Sequence, residues 1–268
     1  MGARPTALVL TVSEDLDCSG MPDLGQEICS YDEGFIAALL EKFTGKTPKF
    51  PLAERLYFLN AVRYVSHVIE AAPQTHPDAL PCDVRPDLWV DEPTLTNAAR
   101  QKFAVQKGIT YRVLTEPELA GFPAPPPMPS APGRRKVVAT GCYDWFHSGH
   151  VRFTEEASAY GDLYVCLGSD KNVELLKGKG HPLLCEQERR YVVGSIKYVK
   201  QALITTGSGW VDADPEIRRL KPDIYVVNED GDKGGKREYC QPCFQSGTAR
   251  SKVHRAKAKA ARVGESLA

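Results

Sequence analysis

Two histidines three residues apart, His147 and His150, close the run Gly141-Cys142-Tyr143-Asp144-Trp145-Phe146-His147-Ser148-Gly149-His150. Residues three apart are neighbours on one helix face, so both imidazoles would meet the same ligand. The apolar stretch 136–140 precedes them, and the order reads strand, tight glycine turn, helix. Such a turn aims backbone N–H groups and the positive end of a helix at an anion. Donors from backbone and side chain would converge on a phosphate chain, which suits chemistry on a nucleoside triphosphate. Histidines in this spacing also suit a helix-start pair or a metal site. The preceding strand and glycine favour the anion.

Other residues around this run carry charge suited to phosphate. Lys177 and Lys179 flank Gly178 in a loop. They are placed to close over a triphosphate or an incoming phosphate, or else to stay solvated. Arg189, near a predicted helix start, opposes the helix dipole, and a bound anion would offset that conflict. Asp144 lies within the turn, where it would orient the backbone or a magnesium-bound water. Asn228, Asp230 and Asp232 follow a predicted strand end.

The elements that must hold these residues alternate. Strands are predicted at 136–140, 163–168, 201–205 and 224–228. Helices are predicted at 149–160, 172–177, 186–198 and 215–220. Ser169 and Asp214 suit helix caps, and Pro215 suits a first turn. Alternation of this kind implies α/β architecture, a Rossmann-like doubly wound parallel sheet. Ligands in such sheets bind at the carboxyl ends of strands, where strand order reverses. The turn at Gly141 and the run 228–233 both lie at such ends.

Residues 121–133 are too proline-rich for helix or central strand, and 121–135 reads as a semi-rigid linker. The halves on either side look related. Residues 55–65 line up with 189–199, and 85–90 with 221–226, an internal duplication at near-constant offset. On this alignment the first half begins at a point equivalent to Leu163. It therefore lacks its N-terminal portion, the glycine turn and the two histidines. It continues to a last strand at 109–114 for which the second half has no counterpart. The expected domains are a degenerate, truncated copy at 1–120, the linker, a second copy at 136–240 that carries the glycine turn and the histidines, and a tail at 241–268. That tail carries Arg250, Lys252, Arg255, Lys257, Lys259 and Arg262 with no acid between them. It reads as a disordered solvated tail, or as a basic arm for nucleic acid or anionic lipid.

The 34 basic and 34 acidic residues balance, so no global field argues for nucleic acid. No apolar run approaches the roughly 18 residues that span a bilayer. The N-terminus lacks a secretory cleavage pattern, and with eight cysteines this implies reduced thiols in a cytoplasmic protein. Cys240 and Cys243 form an isolated pair, without the second pair that a zinc site needs.

The 141–150 run, the Lys177–Gly180 loop, the Glu188-Arg189-Arg190 helix start and the 196–199 segment together resemble the cytidylyltransferase-like nucleotidyltransferases. The resemblance spans about 136–239. Its tandem layout is similar to ethanolamine-phosphate cytidylyltransferases, and one-domain relatives acting on glycerol-3-phosphate share the motifs. It implies transfer of a nucleotidyl group to a phosphorylated alcohol or sugar, with release of pyrophosphate. The nucleotide implied is CTP, with ATP next, and magnesium accompanies it. It further implies that His147 and His150 hold the triphosphate, with Lys177 and Arg189 beside them. Gly141, Cys142, Tyr143, Asp144, Phe146, Gly149, Lys179, Asn228, Asp230 and Asp232 would line the nucleotide site. Relatives often pair, which sets a homodimer among the expected assemblies. One family feature is missing: an Arg followed by Ser or Thr opening a helix after the last strand. Residues 246–251 have similar types in another context. A nucleotide-binding or assembly module without turnover is therefore the alternative reading.

Overall fold

Strands alternate with helices along the chain, and they assemble into two parallel sheets. In the computed structural model it forms two units, Met1–Gly121 and Phe122–Ala268. The structure describes residues 8–12, 34–38, 51–70, 79–80, 85–93, 98–227 and 254–255.

The first unit holds strands β1 (Leu8–Val12), β2 (Gly34–Ala38), β3 (His67–Glu70), β4 (Leu88–Asp91) and β5 (Thr110–Val113). Helices α1 (Leu52–Ala61) and α2 (Ala98–Lys107) accompany them. All pairings are parallel, in the order β3-β2-β1-β4-β5. β4 is buried throughout, and its Trp89 meets Phe103 and Tyr111 edge-on. The first unit has a strand ahead of the point where the alignment of the two halves began. β1 is present as the central strand, and it precedes β2 by the same number of residues as Lys136 precedes Asp162. Its Leu-Val-Leu-Thr-Val sequence shares only an apolar pattern with the Lys-Val-Val-Ala-Thr of the other half. A central parallel strand asks for little more than that, so residue matching overlooked it.

The second unit holds β6 (Lys136–Gly141), β7 (Asp162–Leu167), β8 (Val199–Ile204), β9 (Ile224–Val227) and β10 (His254–Arg255). Its order is β10-β9-β6-β7-β8, again parallel. Counted along the chain, both sheets run fifth, fourth, first, second, third. The chain moves outward from β6 through β7 to β8, then returns to β9 on the other side of β6. The carboxyl ends of β6 and β9 therefore flank the point where strand order reverses. Val137, Val138 and Ala139 of β6 are fully buried, so the strand is rigid up to the turn it launches.

Helices α3 (Ser148–Ser158), α4 (Asp170–Lys177), α5 (Glu186–Gly194) and α6 (Asp214–Leu220) have local reasons to start and stop. Ser169 caps α4, its hydroxyl accepting from the Asn172 N–H at 3.3 Å. Gly178 ends α4 at φ 93°, a conformation costly for any residue with a Cβ. Pro215 opens α6.

Two expectations about connecting segments change. The proline-rich stretch belongs to the second unit and is fastened to it. Phe122 packs edge-on against Tyr191, and the Arg190 guanidinium donates to the Phe122 carbonyl at 3.4 Å. Pro125 closes over Gly194. The Met128 N–H donates to the carbonyl of Lys200 in β8 at 2.9 Å, and the Lys200 ammonium returns a bond to the Met128 carbonyl. Ser130 and Arg134 both bond Asp162. The basic tail supplies β10, with His254 opposite Val226 and Arg255 opposite Val227. It thus gives the second sheet the fifth strand that the sequence reading denied it. The other residues of 228–268 lie outside the described residues.

Candidate active site

His147 is the N-cap of α3. Its backbone is extended, and its Nδ1 accepts the Gly149 N–H at 3.0 Å. Its own N–H donates to Nδ1 of His150 at 3.3 Å. Two imidazoles thus build a reciprocal capping box, a task normally given to Ser and Glu. A ring nitrogen that accepts an N–H carries no proton, so each neutral ring keeps its proton on Nε2. The ring centroids lie 4.2 Å apart. Burial, then the charges of His147 and Lys177, push the His150 pKa down to about 4. His150 is therefore a neutral donor at physiological pH. Gly149 makes room for the arrangement, since a Cβ there would stand 2.8 Å from the His147 ring.

The turn between β6 and α3 reaches this helix start through Tyr143, which sits in the left-handed region at φ 52°. Tyr143 and Phe146 are buried and pack on His150, Phe146 stacked at 5.3 Å and 18°. Both rings, expected to line the nucleotide site, support the His150 imidazole. Gly141 and Gly149 are exposed on the turn and Cys142 is half-buried. Burial raises the Cys142 thiol above its ordinary pKa.

Asp144 is buried, with 4% of its side chain exposed. Its carboxylate accepts the Leu183 N–H and bonds Nδ1 of His181 at 2.7 Å. Lys177 Nζ stands 3.7 Å away. Burial alone would raise its pKa, but the hydrogen bonds from His181 and Leu183 and the Lys177 charge outweigh burial and hold it below the ordinary value. Lys177 is thereby brought to the turn, while Lys179 is exposed in the loop beyond it.

Arg189 was expected beside the two histidines, and the structure places it behind the turn. Its side chain is fully buried. Nε donates to the Leu184 carbonyl at 3.0 Å, Nη1 to the Cys142 carbonyl at 2.6 Å and Nη2 to Asp170 at 2.7 Å. All three nitrogens are engaged by protein, and these acceptors offset the unfavourable helix position in place of a bound anion. Arg55, which aligns with Arg189, is also buried. Asn228, Asp230 and Asp232 lie outside the described residues. His181 was not singled out in the sequence. A lone loop histidine carries no local signal, and only the fold brings it to Asp144, 37 positions away.

Among the described residues no three His, Cys, Asp or Glu gather into a metal cage, and no helix is long and apolar enough to cross a membrane.

Residues 138–237 match the family model described as cytidylyltransferase-like. The FAD synthase of Ferroglobus placidus is 41% identical over 97 residues, which cover 36% of this chain and 60% of that protein. The bifunctional protein HldE of Pelobacter propionicus is 40% identical over 101 residues, covering 37% of this chain and 20% of that protein. The chain thus spans less than two thirds of the first relative and about a fifth of the second. The crystal structure of the lipopolysaccharide core biosynthesis protein from Thermoplasma volcanium GSS1 aligns at TM-score 0.38 and 21% identity, over 47% of this chain and 100% of that one.

Proposed function

We propose that the chain, whose residues 138–237 match the cytidylyltransferase-like family model, transfers a nucleotidyl group from a nucleoside triphosphate to a phosphorylated small alcohol or sugar. A phosphate oxygen of the acceptor attacks the α-phosphorus, the bond to the β-phosphate oxygen breaks, and pyrophosphate leaves with the bonding electrons. No covalent enzyme intermediate is needed, so positioning and stabilisation of developing charge dominate. The observation that supports this best is the double-imidazole cap. It presents two Nε2–H donors at a helix N-terminus beside the point where strand order reverses. These imidazoles donate hydrogen bonds to phosphate oxygens; neither removes a proton. Lys177 adds positive charge, and Asp144 and Arg189 hold the turn. Magnesium enters as the counter-ion of the triphosphate.

The sequence resemblance favours CTP. The name of the Ferroglobus relative denotes an adenine dinucleotide product, which favours ATP as the second reading. The first unit is in this reading a non-catalytic copy of the second. It has the same strand order, and the segment after β1 contains no histidine.

Calorimetric titration of the full chain with magnesium-CTP and magnesium-ATP tests the proposal. One nucleotide should bind in preference, and His147→Ala should lose it. Binding followed by pyrophosphate release with a phosphorylated acceptor supports the transferase. Tight binding without turnover across an acceptor screen supports the binding module. Absence of binding overturns both.

A further inference from the structure

Asp144 gathers more than the turn requires. One buried carboxylate receives a backbone N–H, an ammonium and an imidazole, and the last two come from the far side of a loop. His181 meets Asp144 through Nδ1, while 40% of its side chain remains exposed. With Nδ1 committed to the carboxylate, Nε2 is directed away from it, on a ring whose orientation is fixed. Lys177, from the end of α4, meets the same carboxylate, and exposed Lys179 follows it in the loop, so positive charge gathers on this side of the turn. Asp144 is also three residues before His147, so the same turn carries both the anchor of His181 and the two-imidazole cap.

We propose that His181 is a third imidazole of the site, oriented by Asp144, and that it binds a substrate phosphate group through Nε2. This rests on the nucleotidyl-transfer reading above. The phosphate belongs either to the triphosphate or to the acceptor, and both offer His181 the same chemistry.

The test uses His181→Asn. An asparagine amide reaches Asp144 much as Nδ1 does but offers nothing in the place of Nε2. Full-length wild type, His181→Asn and His147→Ala are titrated with magnesium-CTP, magnesium-ATP and inorganic phosphate. A contact from Nε2 to phosphate predicts that His181→Asn binds at least one probe about tenfold more weakly than wild type. Its thermal midpoint should stay at the wild-type value. A gap with the nucleotides assigns His181 to the triphosphate, and a gap with inorganic phosphate alone assigns it to the acceptor. If wild type binds nucleotide, His147→Ala loses it and His181→Asn matches wild type throughout, the inference falls and the reading stands. If wild type binds neither nucleotide, both fall.

Discussion

At the scale of single residues, His150 couples protonation to stability. In the unfolded chain it titrates near 6.5, and in the folded protein burial and its neighbours hold it at about 4. Between those values the unfolded state binds more protons, so stability falls as pH is lowered from 6.5 to 4. The slope reaches at most about 1.4 kcal/mol per pH unit. Thermal unfolding followed across that window should show a steeper decline for wild type than for His150→Gln. The lowered pKa of Asp144 acts in a lower window. Its contribution is present above the ordinary carboxylate range and is lost in stronger acid, as pH falls through its folded pKa. The two histidines were legible in the sequence because their geometry is local: a cap, a glycine and a three-residue spacing. The roles of Arg189 and His181 were not, because their partners Cys142 and Asp144 lie 47 and 37 positions away. A charge read alone suggests a ligand, and only the fold reveals that the protein itself supplies the counter-charge.

Among the elements, α5 is the brace of the site. Through Arg189 it ties the β6–α3 turn, the Leu184 carbonyl and the start of α4 into one unit. Arg189→Met keeps the volume but orphans the carbonyls of two half-buried residues, Cys142 and Leu184, and the partly exposed Asp170 carboxylate. It should cost about 3 kcal/mol in chemical denaturation and weaken nucleotide binding by loosening the turn. A full stability loss with unchanged affinity would mean the turn holds without its brace. Most elements of the second unit were legible, since runs such as Val137–Ala139 and the Ser169 cap carry their own signal. β1 was missed because a buried parallel strand constrains residue class more than identity. β10 was missed because nothing in its two residues marks them as a strand. The neighbouring β9 supplies the pairing that makes them one.

On the scale of the molecule, the chain forms two units, and the described site residues all come from the second. Residues 122–268 expressed alone should therefore bind nucleotide within about twofold of the full chain by calorimetry. A larger loss would assign the first unit a part in binding. The start point matters in this experiment: a fragment cut at 134 would shed the segment that packs on Tyr191, Gly194 and Lys200. That segment and β10 also bear on self-association. On the β8 side Met128 already takes up the Lys200 carbonyl, and on the other side the last strand is β10. A backbone carbonyl that is already bonded is withdrawn from pairing with a second molecule. A dimer that extended this sheet across β8 would first have to release Met128 from Lys200.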